Sequence, residues 1–471
     1  MTAQTRSVPD APGALPLVGH IPPMMREPLR FLGSLPDCGD VVRIRLGRVP
    51  TLVLCDPELT WQMFMDSRTF DKGGSLVERA REFLGNGLIT CPHGDHRRQR
   101  RLTQPAFHSV RLRGYVPFMN EVIAETVRSW PQDRPVDPVD TLMSLSARVT
   151  ARCMFSHGIA EERLRQFIAD SVTAVDTVYL RSVLPPVVNR LPLPANLRYQ
   201  RALQRLQQMY TKIIAEYRAD GRDRGDLLSI LLDSQDGQDG QDGQGGQGAD
   251  GSLSDGELRD QLSNFFLAGT ETTASTLGWA LHALAEHPEF QERLRTEADT
   301  VLGGRPADFD DLERLHETRR ILTEVLRLYS PVWFVTRTVT ADTRLGPYFL
   351  PAGTAIAYSP YIIHHLPGLY PDPGVFDPDR WASGHTRPRH AFIPFALGPR
   401  KCIGDVFALT QATLALTAIA ARFTWEPAPG SRVTASVGSV TRARGLRLRF
   451  TARPPGARRD AHARARPGEA G

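Results

Sequence analysis

Near the C-terminal end, the stretch FALGPRKCIG sets Cys402 between Gly398 and Gly404, with Arg400 and Lys401 just before it. A cysteine attacks or ligates as its thiolate, and nearby cations or the free N–H groups of a helix start favour that form. The apolar run that opens near Asp405 supplies such a start, and the glycines allow close backbone approach or positive φ. A lone thiolate serves as a nucleophile or as an axial metal ligand. A nucleophile needs a base, and His390 already lies twelve residues back.

A second group with chemical potential is AGTETT, Ala268 to Thr273. Glycine and threonine weaken a helix interior. Either this segment packs closely on a neighbour, or Ala268 and Gly269 leave room beside the helix. Glu271 and Thr272 set a carboxyl and a hydroxyl next to each other in sequence. In HGDHRRQRR, His96 and Arg100 are four apart and share one helical face. Glu324 and Arg327, in EVLR, are three apart, a spacing that by itself reads as an ordinary surface ion pair.

These residues need elements to hold them. Ser254 with Glu257 three positions on is a capping box. Apolar residues then recur at helical spacing from Leu258 to Leu284, with Pro288 past the end. About 33 residues make a rod of roughly 50 Å, long enough to cross a domain. VVRIRLGRVPTLVLCDP predicts a hairpin with one buried face. Helical patterns dominate from Pro57 to about Asp220, where Gly221 is the stop, and helical sequence resumes up to Tyr329. Strands are expected from Val339 to Tyr361, then a helix after Gly404 and short strands to Phe450. Residues 1–11 read as a flexible lead-in, 12–452 as one domain, and 453–471 as a disordered basic tail. The Gln/Asp/Gly-rich stretch 234–251 has no side chain able to offset the entropy of ordering, and reads as a surface insert.

The 471 residues carry a formal charge of only +5, so a protein devoted to nucleic acid is not indicated. Nearly all the positive charge is arginine, the only lysines being Lys72, Lys212 and Lys401. Five scattered cysteines without a CxxC pair exclude a disulfide framework and a zinc knuckle, and point to a cytoplasmic setting. No stretch has signal-peptide or membrane-anchor character.

Phe395, Gly398, Arg400, Cys402 and Gly404 resemble, residue for residue, the haem-binding loop of the cytochrome P-450 superfamily. The supporting motifs occur in order: AGTETT, the Glu-x-x-Arg of Glu324 and Arg327, and Arg380 in FDPDRW. The resemblance implies a mainly α fold with small β-sheets and haem b as cofactor, with Cys402 as the axial iron ligand. It implies propionate donors in His96, Arg100, Arg337 and Arg400, and a structural network of Glu324, Arg327 and Arg380. Phe395, Gly404, Ala268 and Gly269 would border the cofactor, and Glu271 and Thr272 would relay protons while the thiolate favours O–O cleavage. Pocket walls carried over in this way are Phe265, Phe266, Val332, Trp333, Phe334, Val335, Gly438, Ser439 and Val440, roofed by the segment between Phe70 and Leu88.

The implied activity is an oxygen-dependent monooxygenase, acting as a monomer and fed by a separate ferredoxin and ferredoxin reductase, since no flavin or nicotinamide segment is present. FDKGG, LGNGLIT, PVWFVTRT and YSPYIIHH resemble bacterial sesquiterpene oxidases of the pentalenene oxygenase kind, so an apolar terpenoid is the expected substrate. Fatty acids, steroids and polyketides are the alternatives within the family. A non-catalytic haem sensor or carrier is the alternative outside this activity.

Overall fold

The computed structural model describes residues 6–132, 134–156, 161–183, 186–236, 253–382 and 388–453. Helices dominate, and a five-stranded sheet lies to one side. The sheet contains β1 (Val41–Leu46), β2 (Val49–Leu54), β3 (Phe70–Lys72), β4 (Val335–Val339) and β5 (Ala355–Tyr358), in the order β1-β2-β5-β4-β3. The expected hairpin is β1 and β2, paired Val41 to Leu54 through Leu46 to Val49. β2 runs parallel to β5, and β4 pairs antiparallel with both β5 and β3. In the last of these pairings Lys72 stands directly opposite Arg337.

The helices that matter for the site are α1 (Pro57–Met65), α2 (His93–Thr103), α3 (Ser109–Ser129), α4 (Val139–Met154), α5 (Asp255–Glu286), α6 (His316–Leu328) and α7 (Asp405–Arg422). The expected long helix is α5, of 32 residues. Its capping box is formed: Glu257 N–H donates to Ser254 Oγ at 3.2 Å, and Ser254 N–H to Glu257 Oε2 at 2.8 Å. Most of its residues are buried around the whole circumference, because α5 passes through the interior beside α4 and α7. Gly269 has a packing reason. A Cβ there would lie 2.9 Å from Thr150 Oγ1 on α4, so the missing side chain admits the neighbouring helix.

Buried polar groups on the first half of α5 grip the turn that follows Leu84. Asp260 accepts from Asn86 N–H at 2.7 Å, Asn264 from Ile89 N–H at 2.9 Å, and Gln261 from Leu88 N–H at 3.3 Å. In LGNG, a Cβ on Gly85 or Gly87 would collide with Asp260 or Asn264, which explains two glycines there. Arg98 pairs with Glu257 on α5.

Glu324 and Arg327 are not a surface pair, because neither is exposed at all. Glu324 takes both Nε and Nη2 of Arg327, at 2.9 and 2.8 Å, and Nε of Arg380 at 3.0 Å. Trp381 Nε1 and Asp377 N–H complete its acceptor capacity at 2.8 and 3.0 Å. Arg327 in turn donates to the carbonyls of His364, Pro373 and Val375.

The stretch 234–251 begins later than its composition suggests, since a helix runs from Leu227 to Asp236. The remainder of that stretch, residues 1–5 and the tail from 454 lie outside the described residues. Among the described residues no helix is long and apolar enough to cross a membrane.

Buried His364 links α6 to the segment that leads to Cys402. Its Nε2 accepts from Ile393 N–H at 2.9 Å, so Nδ1 carries the proton toward Ser330 Oγ, also at 2.9 Å. Burial, reinforced by His365 and Arg327, holds it well below the ordinary value of 6.5. The unfolded chain therefore takes up this proton below about pH 6.5 while the native ring stays neutral, and stability falls with pH by about 1.4 kcal/mol per unit for this group. Denaturant titrations between pH 7 and 5 are expected to show a slope shallower by about that amount in His364→Gln. An unchanged slope would place the titration elsewhere.

Candidate active site

The loop holding Cys402 is closed by its own backbone. Cys402 N–H donates to Phe395 O at 2.9 Å, and Lys401 N–H to Gly398 O at 3.0 Å. Ala396 and Gly398 take positive φ, of 56° and 69°. A Cβ on Gly398 would stand 2.5 Å from Phe64 O of α1, so only glycine lets the loop press against that helix. Gly404 differs from expectation. Its φ is −97° and a Cβ there would make only ordinary contact, 3.8 Å from the Phe107 ring, so its part is to cap α7 and turn its N–H toward the sulfur.

The charge state of Cys402 also departs from the simple reading. Burial pushes its thiol above the usual range, outweighing the Gly404 N–H and the cations Arg100 and Lys401. Yet Cys402 retains accessible surface. A side chain both enclosed by protein and accessible lines a hollow. A thiol in that setting stays protonated unless a metal takes it, because coordination removes the proton outright.

Around the hollow five basic side chains converge with one carboxylate. Lys72 and Arg337 share one face of the sheet as direct cross-strand neighbours, an arrangement that like charges oppose. Arg400 pairs with Asp71 at 2.8 Å and donates to Cys91 O at 2.9 Å. Burial lowers Lys72 well below its ordinary range, with Arg337 and Arg400 adding to the effect. Burial lowers Arg337 likewise. His96 on α2 is held down to about 3 by burial and by Arg400, Arg100 and Lys72, so its ring is neutral and free to donate one N–H. Arg100, one turn on, reaches Lys401 O. Among the described residues, buried Arg337 Nη1 and Arg400 Nε find no hydrogen-bond partner. Orphaned guanidinium donors beside a desolvated lysine call for anionic oxygens, as a dicarboxylate cofactor would supply.

Along α5, Leu267, Ala268, Gly269 and Thr272 are partly exposed within an otherwise buried run. This is the notch expected from AGTETT, although Gly269 owes its type to α4. Thr272 Oγ1 donates to Ala268 O at 2.6 Å. Glu271 does not face Thr272. Its carboxylate accepts from Ser439 Oγ at 2.6 Å and pairs with Arg442 Nη2 at 2.7 Å.

The carried-over wall residues divide. Val332 and Val335 are partly exposed and Ser439 is exposed, whereas Val440 is buried. Phe266 is core, 4.2 Å from the Phe167 ring, and Phe265 packs edge-on to Phe107 at 5.2 Å. Trp333 and Phe334 sit in the cluster beneath the sheet, with Trp333 Nε1 bonded to Gly438 O at 2.8 Å. Sequence reasoning passed over Lys72, Asp71 and Arg442. The rarity of lysine was the one available signal for the first, and none marked the other two.

A family model for cytochrome P450 matches residues 9–445. The chain belongs to the cytochrome P450 family. This cytochrome P450 is 44% identical over 460 residues to pentalenene oxygenase of Streptomyces avermitilis, spanning 97% of this chain and all of that one. It is 44% identical over 427 residues to cyclooctatin synthase of Streptomyces melanosporofaciens, with 90% and 91% of the two chains covered. It is 42% identical over 424 residues to cyclooctat-9-en-7-ol 5-monooxygenase of the same organism, covering 89% and 90%. The helix-rich fold with small sheets and the likeness to pentalenene oxygenase were both expected from the motifs. Family membership implies haem b, and the thiol, the orphaned donors and the notch of this P450 fit such a group.

Lys72 separates cofactor binding from folding. Lys72→Met is expected to stabilise the apoprotein by up to about 1 kcal/mol, since it removes a like-charge pair. Haem should nevertheless leave the variant faster. Unfolding of apoprotein and transfer of haem to apomyoglobin measure the two effects, and the same sign in both would refute the assignment.

Proposed function

We propose that this P450 inserts one oxygen atom into a C–H bond, allylic where the substrate has one, of an apolar terpenoid hydrocarbon of the sesquiterpene class. The balanced reaction consumes one O₂, two electrons and two protons with R–H, and yields R–OH and water. The observation that supports the substrate class is the 44% identity with pentalenene oxygenase over 97% of this chain. The partly exposed Val332 and Val335 give support, since they offer a hydrocarbon surface.

Haem, when bound through Cys402, supplies oxygen activation and the oxidising equivalent. The chain's own residues do the rest. Lys72, His96, Arg100, Arg337 and Arg400 hold the carboxylates of the group and set its orientation. Thr272, at the notch, is placed to hold a water and orient the reacting oxygen by its hydroxyl. Glu271 carries protons inward from solvent as a general acid. Glu324, Arg327 and Arg380 touch no reactant and keep the cysteine loop in register.

Electrons come from a separate acidic carrier of the ferredoxin type, itself reduced by a reductase. Arg97, Arg101, Arg111 and Lys401 are exposed near the Cys402 loop or on the helices beside it, and cations of this kind suit an acidic partner.

Purified holoprotein titrated with cyclic terpene hydrocarbons is expected to show the spectral shift of water displaced from ferric iron, and turnover with an added ferredoxin system should give a mono-oxygenated product. Response only to fatty acids or steroids would overturn the substrate class. Thr272→Ala should fold and bind haem normally while diverting electrons to peroxide. Unchanged product per electron would remove Thr272 from proton delivery.

A further inference from the structure

The relay carboxylate is tethered to the substrate side of the molecule. Glu271 is 4% exposed, and both of its oxygens are engaged by the hairpin of β6 (Thr434–Val437) and β7 (Thr441–Arg444). Ser439, in the turn, donates to one oxygen, and Arg442, on the second strand, pairs with the other. The same turn is a wall of the proposed pocket.

This turn is clamped on either side of Ser439. Before it, Gly438 O accepts from Trp333 Nε1 at 2.8 Å. After it, Thr441 N–H donates to Pro331 O at 3.0 Å, and Thr441 Oγ1 reaches Tyr329 O and Ser330 O at 3.0 and 3.1 Å. Ser275, one turn beyond Glu271 on α5, donates to Thr441 O. The freedom left to the turn lies at Ser439, between the clamps. Consecutive residues of a helix point about 100° apart, so Glu271 cannot face the notch while both partners hold it. Thr272 is likewise tied back to Ala268 O. Proton delivery therefore requires a contact that holds Glu271 to yield.

We infer that Ser439 and Arg442 are positioning residues that make proton delivery depend on substrate fit: a hydrocarbon pressed against the 438–440 turn shifts Ser439, frees one oxygen of Glu271 to turn toward the notch, and leaves Arg442 as the pivot. The step controlled is a proton transfer, in which Glu271 takes a proton at the freed oxygen and releases it inward through water. Electrons and oxygen are those of the monooxygenase reaction. The pair with half-buried Arg442 keeps Glu271 withdrawn when the pocket lacks substrate, which limits futile reduction of oxygen. This inference rests on the relay reading of Glu271 and Thr272.

The test compares Glu271→Gln, Arg442→Gln, Arg442→Lys and Ser439→Ala as holoproteins with a bound terpene. Arg442→Gln should keep haem content and ligand affinity, lose about tenfold or more in product per electron, and show an enlarged solvent isotope effect on product formation. Arg442→Lys should recover most of the loss, since the pivot charge is restored. Ser439→Ala should release peroxide even with the pocket empty. Independent of turnover, amide exchange of residues 438–442 should change on adding the terpene in the natural protein and not in Ser439→Ala. If Glu271→Gln alone leaves coupling intact, the relay reading falls and this inference with it. If Glu271→Gln uncouples while Arg442→Gln and Ser439→Ala behave as the natural protein, only the positioning inference falls.

Discussion

A carboxylate with no exposed surface organises this molecule. Taking a charge out of water costs several kcal/mol, and only complete pairing and hydrogen bonding offset that cost. Glu324 meets the condition with two guanidiniums, an indole N–H and one backbone amide. Arg327 and Arg380 then distribute their remaining donors over carbonyls between residues 364 and 375. A chain segment with little regular structure is thereby fixed to α6 as firmly as a strand to a sheet. Removing one partner of such a buried pair costs about 3–5 kcal/mol and leaves an uncompensated charge. His364, whose carbonyl accepts from Arg327, also receives Ile393 N–H just before the loop bearing Cys402, so the Glu324 network and that loop share one support.

The opposite condition prevails across the hollow. There the fold gathers Lys72, Arg337, Arg400, Arg100 and His96 about Asp71 and leaves buried donors unsatisfied. Such a surplus of positive charge destabilises the protein by itself and turns into binding free energy once anionic oxygens arrive. The neutral ring of His96 follows from the same field, which makes it a hydrogen-bond donor and not a fifth full charge. Raising the Cys402 thiol has a parallel effect, since the site is inert as a nucleophile until a metal displaces the proton.

The long helix joins these two regions and adds a third constraint. Its early polar residues pin the turn after Leu84, its glycine admits α4, and its acid is held by the last hairpin. One helix therefore touches the turn after Leu84, α4 and the last hairpin.

Sequence alone singled out Cys402, the long helix with its cap and stop, the ordered motifs and the family, because these depend on residue type at short fixed spacing. It also marked Glu324 and Arg327 as a pair, but spacing could not say whether water reaches them. Burial is a property of what folds over a residue, and that arrives from residues 371–381. Phe266 and Trp333 read as pocket walls for the same reason, since a strand or helix shows which residues alternate but not which side faces the core. Only tertiary structure set Lys72 opposite Arg337 and Arg442 on Glu271, for these contacts span 265 and 171 positions and no local pattern encodes a partner so distant.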